Sequence, residues 1–71
     1  MIKLETIRER MIEAIKQSGL SPTDIANKLN IKQPTVSQYL SGRIMPALDT
    51  FANLCVILDT DTAYILVIYK L

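Results

Sequence analysis

Four polar side chains, Gln33, Thr35, Ser37 and Gln38, fall on the outward side of a short segment. The inward side of that segment is apolar, with Val36, Tyr39 and Leu40. Amides and hydroxyls both donate and accept hydrogen bonds without carrying charge. A helix that only meets water usually shows charged residues on its outer face, so this nearly uncharged face is unusual. A glutamine amide is suited to one kind of chemistry in particular, a bidentate pair with the edge of adenine. Little else in the chain competes with it. There is no histidine, which removes the usual general base and the commonest metal ligand. The single cysteine, Cys55, excludes an intrachain disulfide framework and a multi-cysteine zinc site. Cys55 reads as a small buried hydrophobe. No nucleophile–base pair and no metal cluster appears, so neither catalysis nor a cofactor, metal or small-molecule ligand is expected.

The elements that must hold these side chains are helical. Leu4, Ile7, Met11, Ile12 and Ile15 recur at helical spacing and predict a first helix over about residues 4–18, with Arg8, Glu9, Glu13 and Lys16 toward water and Gly19 as its stop. Ser21, Pro22 and Asp24 stand where an N-cap, a first helical residue and a capping-box acid belong. That second helix buries Ile25, Ala26 and Leu29 and ends at Asn30, which tolerates left-handed backbone. Ile31 follows as an apolar plug. The third helix spans about Gln33 to Leu40, with Pro34 acceptable in the first turn and Gly42 as the stop. A fourth, about Leu48 to Leu58, carries the stripe Phe51, Leu54, Cys55 and Leu58 and is broken by Asp59 and Asp61. Asp61 is positioned to cap a short fifth helix from Thr62 to Leu66. The run from Ile65 to Tyr69 is rich in β-branched and aromatic residues, and a short strand is the alternative there. The expected fold is all-α: a bundle of four to five short helices, with that C-terminal strand left open.

The chain has 71 residues, the size of one domain, with 49% apolar and 21% charged residues, a globular composition. No stretch is long and apolar enough to span a membrane, and the charged N-terminus has no signal-peptide core. A reduced, cytoplasmic setting is expected. Net charge is only +1, but it is unevenly spread. The middle of the chain sets Lys28, Lys32 and Arg43 against Asp24 alone, whereas the C-terminal third sets Asp49, Asp59 and Asp61 against Lys70. One face toward phosphates and another away from them would produce that asymmetry.

Two short helices, Ser21 to Leu29 and Gln33 to Leu40, joined by a turn of three to four residues, make a helix-turn-helix pattern over about residues 21–41. A helix of two turns fits the major groove, and the helix before it braces it across the backbone. Ala26 allows the two to cross closely, and Ile31 and Val36 fix their angle. The pieces LSPTDIANKLNI, KQPTVSQYLSGR and MPALDTFANLCVILD resemble the helix-turn-helix domain of the Cro and phage-repressor family, also called the xenobiotic-response-element family. The likeness covers Leu20 to Leu66. It implies a lambda-repressor-like fold and a dimeric transcriptional regulator that binds double-stranded DNA. By position, Gln33, Thr35, Ser37 and Gln38 become recognition-helix residues that meet base edges, and Thr23, Ser41 and Arg43 lie near phosphates. Lys32 joins Arg43 as a phosphate neutraliser. The sequence departs from the family where Pro22 replaces a polar residue, where Lys32 and Ala47 replace capping serine or threonine, and in the more apolar ending YILVIYKL.

That ending offers more apolar surface than a small monomer readily covers, and residues 62–71 are the expected homodimer contact, through Ile65, Val67, Ile68 and Tyr69. A Cro-like repressor regulating by occupancy is the leading reading of residues 1–71. Two others stay open: an antitoxin or accessory DNA-binding subunit that docks a different protein through YILVIYKL, and a helical protein–protein module without DNA binding.

Overall fold

The helical periodicities of the sequence are realised in a computed structural model that describes residues 1–68. The elements are α1 (Leu4–Gln17), α2 (Pro22–Leu29), α3 (Gln33–Leu40), α4 (Leu48–Leu58) and α5 (Thr62–Leu66). Each lies within a residue of the span its local signals predict. The fold is all-helical, and no strand occurs among the described residues.

Local chemistry sets most of the helix ends. The Asp24 amide donates to Ser21 Oγ at 3.1 Å and the Ser21 amide donates to Asp24 Oδ2 at 3.3 Å, closing a capping box before α2. Asp61 opens α5 in a simpler way, its Oδ1 accepting from the Ala63 amide at 3.0 Å. Lys32 and Ala47 precede α3 and α4 without a side-chain cap bond. The last four helices end alike. One left-handed residue stops each of them: Asn30, Gly42, Asp59 and Val67, with φ of 56°, 79°, 49° and 60°. The next amide then returns to a carbonyl of the helix, as in Ile31 to Ala26 and Arg43 to Gln38, both 3.0 Å. This closure satisfies carbonyls that a helix end otherwise leaves open.

Helix α2 packs on α3 and α4, and α1 packs on α5. The shared core holds Met11 and Ile15 of α1, Ile25 and Ala26 of α2, Val36 and Tyr39 of α3, Phe51, Leu54 and Cys55 of α4, and Ile65 of α5. Met11, Ile25, Val36, Leu54 and Ile65 are fully buried. Burying each such side chain stabilises the fold by roughly 1.5–3 kcal/mol. Ala26 is buried where its small side chain is needed for α2 to approach α3, and Ile31 packs half-buried against the same core. Arg10 ties α1 to α5: its guanidinium carbon stands 4.3 Å from the centroid of the Tyr64 ring, and its Nη1 donates to the Tyr64 carbonyl at 2.6 Å.

Three expectations are corrected by the packing. Leu4 has the right spacing for the α1 stripe but is 55% exposed, because it borders an open hollow with Met45, Leu48 and Leu66 rather than a filled contact. Arg8 is not fully solvated: the residue is half-buried and its Nε is fully buried. The apolar ending is helical through Leu66 and turns left-handed at Val67, so a strand beginning at Ile65 is ruled out.

Candidate nucleic-acid interface

The polar face of α3 is held outward by what lies beneath it. Val36 and Tyr39 anchor the helix in the core, so the opposite side must face solvent. Gln33, Ser37 and Gln38 are exposed there, with Thr35 half-buried at the edge. The Gln33 amide Nε2 donates to Ser37 Oγ at 2.9 Å, across one helical turn. No residue from Gln33 to Leu40 is charged, and the helix is flanked by the exposed cations Lys32 and Arg43. The geometry is a neutral hydrogen-bonding ridge with a positive charge at each end. That arrangement can address uncharged base edges while its two ends meet phosphates.

The structure places the remaining sequence-level residues as follows. Thr23 is exposed in the first turn of α2, where backbone N–H groups lack intrahelical acceptors. Ser41 is exposed, but its hydroxyl donates to the Gln38 carbonyl at 3.1 Å. In that arrangement the hydroxyl has no hydrogen to give to a phosphate, which can only accept. The amides of Gly42 and Arg43 are engaged in the same way, with the Tyr39 and Gln38 carbonyls. The guanidinium of Arg43 is thus the donor that this turn presents outward.

The set expected to dimerise does not stay together. Ile65 is 0% exposed and belongs to the core, a correction to its reading as an interface residue: the α1–α5 packing consumes its side chain. Val67 is half-buried and Ile68 is 53% exposed. Tyr69 lies outside the described residues. Sequence reasoning missed the apolar surface beside the first turn of α1. Leu4 and Leu48, the latter 81% exposed, border a groove of about 220 Å³ lined also by Ile7, Met45, Pro46, Phe51 and Leu66. Leu48 starts α4 immediately after a proline-containing loop, and its spacing from Phe51 and Cys55 is that of the buried stripe, so no local signal marked it as exposed. A second residue missed is Arg8. A Cβ built on Gly42 would stand 3.2 Å from Arg8 Cδ, so α1 reaches the turn that ends α3.

Two short helices crossing through small and β-branched side chains, with the second presenting an exposed polar ridge, define a helix-turn-helix protein. The helix-turn-helix family model matches residues 11–65, from the core of α1 through α5. The chain belongs to that family, of the Cro and phage-repressor type, whose members are DNA-binding and non-catalytic. No curated protein and no solved structure matches the chain. None of the described helices is long and apolar enough to cross a membrane.

Proposed function

We propose that this protein is a sequence-specific transcriptional regulator, a Cro-like repressor that binds a two-fold operator in duplex DNA as a homodimer within the cell. Helix α3 enters the major groove, with Gln33, Thr35, Ser37 and Gln38 at base edges. Thr23, Lys32, Ser41 and Arg43 line the flanking phosphates, Ser41 exchanging its bond to the Gln38 carbonyl for one to a phosphate. The observation that carries this reading is the neutral amide and hydroxyl ridge of α3 between Lys32 and Arg43. A solvated helix needs no such pattern, whereas a groove lined by base edges and walled by phosphates does.

The second copy docks on the apolar surface that includes Leu4, Leu48, Leu66 and Ile68. A projecting leucine beside an apolar hollow is self-complementary, which a two-fold contact requires. Two or three such side chains per subunit, at roughly 1.5–3 kcal/mol each, suffice for a useful dimer after the entropy of association is subtracted.

The test is a binding selection from random duplexes, read by sequencing. The expected product is a two-fold site whose half-sites are about 10 base pairs apart, one turn of duplex. Duplex binding with no enriched sequence would leave a DNA-binding protein but remove sequence-specific regulation. Strict monomers at all concentrations would remove the homodimer.

A further inference from the structure

The second turn of α1 carries a cation that no described residue pairs with an anion. Arg8 is half-buried, and its Nε is fully buried with no hydrogen-bond partner. Among the described residues its guanidinium has neither a hydrogen bond nor an ion pair, although Glu5 and Glu9 lie close in sequence. Only Nε is fully removed from water, and an N–H so placed with no acceptor is unfavourable. A structure retains such a group most easily when something outside the chain supplies the anion.

Its location says which anion. The Arg8 side chain lies along Gly42, whose built Cβ would stand 3.2 Å from Arg8 Cδ and 4.0 Å from Nε. Gly42 has φ of 79°, so glycine is required there twice, once for the backbone and once for the space Arg8 occupies. Its neighbours are Ser41 and Arg43, the turn at the exit of α3. The amides of that turn, and the Ser41 hydroxyl until it exchanges its bond, are spent on α3 carbonyls, so the donors it holds free are those of a guanidinium. A guanidinium presents donors in a fork that matches the oxygens of a phosphodiester.

We propose that Arg8 is a DNA-backbone contact, its guanidinium propped against Gly42 so that it and Arg43 hold one phosphodiester at the exit of the recognition helix. The proposal rests on the DNA-binding reading above and adds α1 to the elements that touch the duplex. A different role would be purely internal, a cation facing the negative end of the α3 dipole. That role affects folding and leaves DNA binding untouched.

The experiment uses the full chain and random-sequence duplex DNA, titrated by fluorescence anisotropy over a range of salt, with thermal melts of every variant. Arg8→Gln is expected to weaken binding and to flatten the log–log salt slope by about one unit for each subunit bound. Arg8→Lys, which keeps the charge, is expected to keep the slope. A folded Arg8→Gln variant with the wild-type slope, while Arg43→Ala flattens it, overturns the proposal and leaves the DNA-binding reading standing. Failure of the wild-type chain to bind duplex overturns both. If Arg8→Gln does not fold, the Arg8 Nε–Hε signal of the wild-type protein decides by NMR. It is expected to shift on adding duplex and to stay in place with inorganic phosphate at matched ionic strength. A signal unmoved by duplex, or moved equally by free phosphate, overturns the assignment.

Discussion

The amide nitrogen of Gln33 donates to the hydroxyl of Ser37 at 2.9 Å, joining two side chains of the exposed α3 ridge before any ligand arrives. One amide hydrogen is used in this bond. The other, together with Oε1, remains for a bidentate pair with adenine. In the proposed complex, Ser37 fixes the plane in which Gln33 is presented to a base. Gln33→Ala is expected to cost about 1–3 kcal/mol on the preferred site and to relax one base position per half-site. Ser37→Ala is expected to cost about 1 kcal/mol alone and close to nothing in the Gln33→Ala background. A double-mutant cycle on selected and random duplexes measures this. Additive losses would show that Ser37 reads a base independently of Gln33.

Arg43 stands outside the recognition ridge, at the turn whose other donors are occupied. Arg43→Ala is expected to weaken specific and random duplexes by the same factor. With roughly four to six phosphate contacts per dimer, the wild-type salt slope should be about −4 to −5, and the variant should be shallower by about one unit per lost contact. A change in sequence preference with an unchanged slope would move Arg43 from the phosphates to the bases.

Ile65 and Leu48 separate folding from self-association. Ile65 is fully buried, so Ile65→Ala should destabilise the monomer by about 2–5 kcal/mol at any protein concentration. Leu48 is 81% exposed, so Leu48→Lys should leave a folded chain whose self-association is weakened. Thermal melts across a concentration series and sedimentation measure the two effects. Unchanged association in Leu48→Lys would place the interface away from the Leu4–Leu48 groove.

Tyr39 links the core beneath the ridge to pH. Burial raises its phenol above the ordinary value near 10.0, because the phenolate would be the poorly solvated form. The unfolded chain then loses this proton at lower pH than the folded chain does. Stability from this group is intact below pH about 10 and falls as pH rises through the folded-state value. Tyr39→Phe should remove that part of the alkaline decline. Denaturant midpoints of both proteins between neutral and strongly alkaline pH measure it. Parallel curves would show that Tyr39 does not couple folding to alkaline titration.

Much of this protein was legible in the order of its residues, for a physical reason that recurs along the chain. Capping, helix stopping and amphipathic spacing act over a few residues. The Ser21–Asp24 box, the left-handed stops at Asn30 and Gly42, and the division of α3 between Val36 and Tyr39 inside and Gln33, Ser37 and Gln38 outside all follow from neighbours in sequence. The helix-turn-helix pattern is made of such local signals, so it could be read without knowing how α1 or α5 packs. What only the tertiary structure decided depends on where distant helices cross. Leu4 and Ile65 have similar local credentials as apolar helix residues, yet one is 55% exposed and the other 0%, because α5 packs along α1 in a way that buries Ile65 and leaves the first turn of α1 uncovered. Arg8 has the spacing of a solvated residue, but α1 passes the end of α3 at Gly42, the one kind of residue that leaves room for it. The angle between α1 and α3 comes from the summed packing of the core rather than from any local motif. That angle determines which cation stands beside the recognition helix.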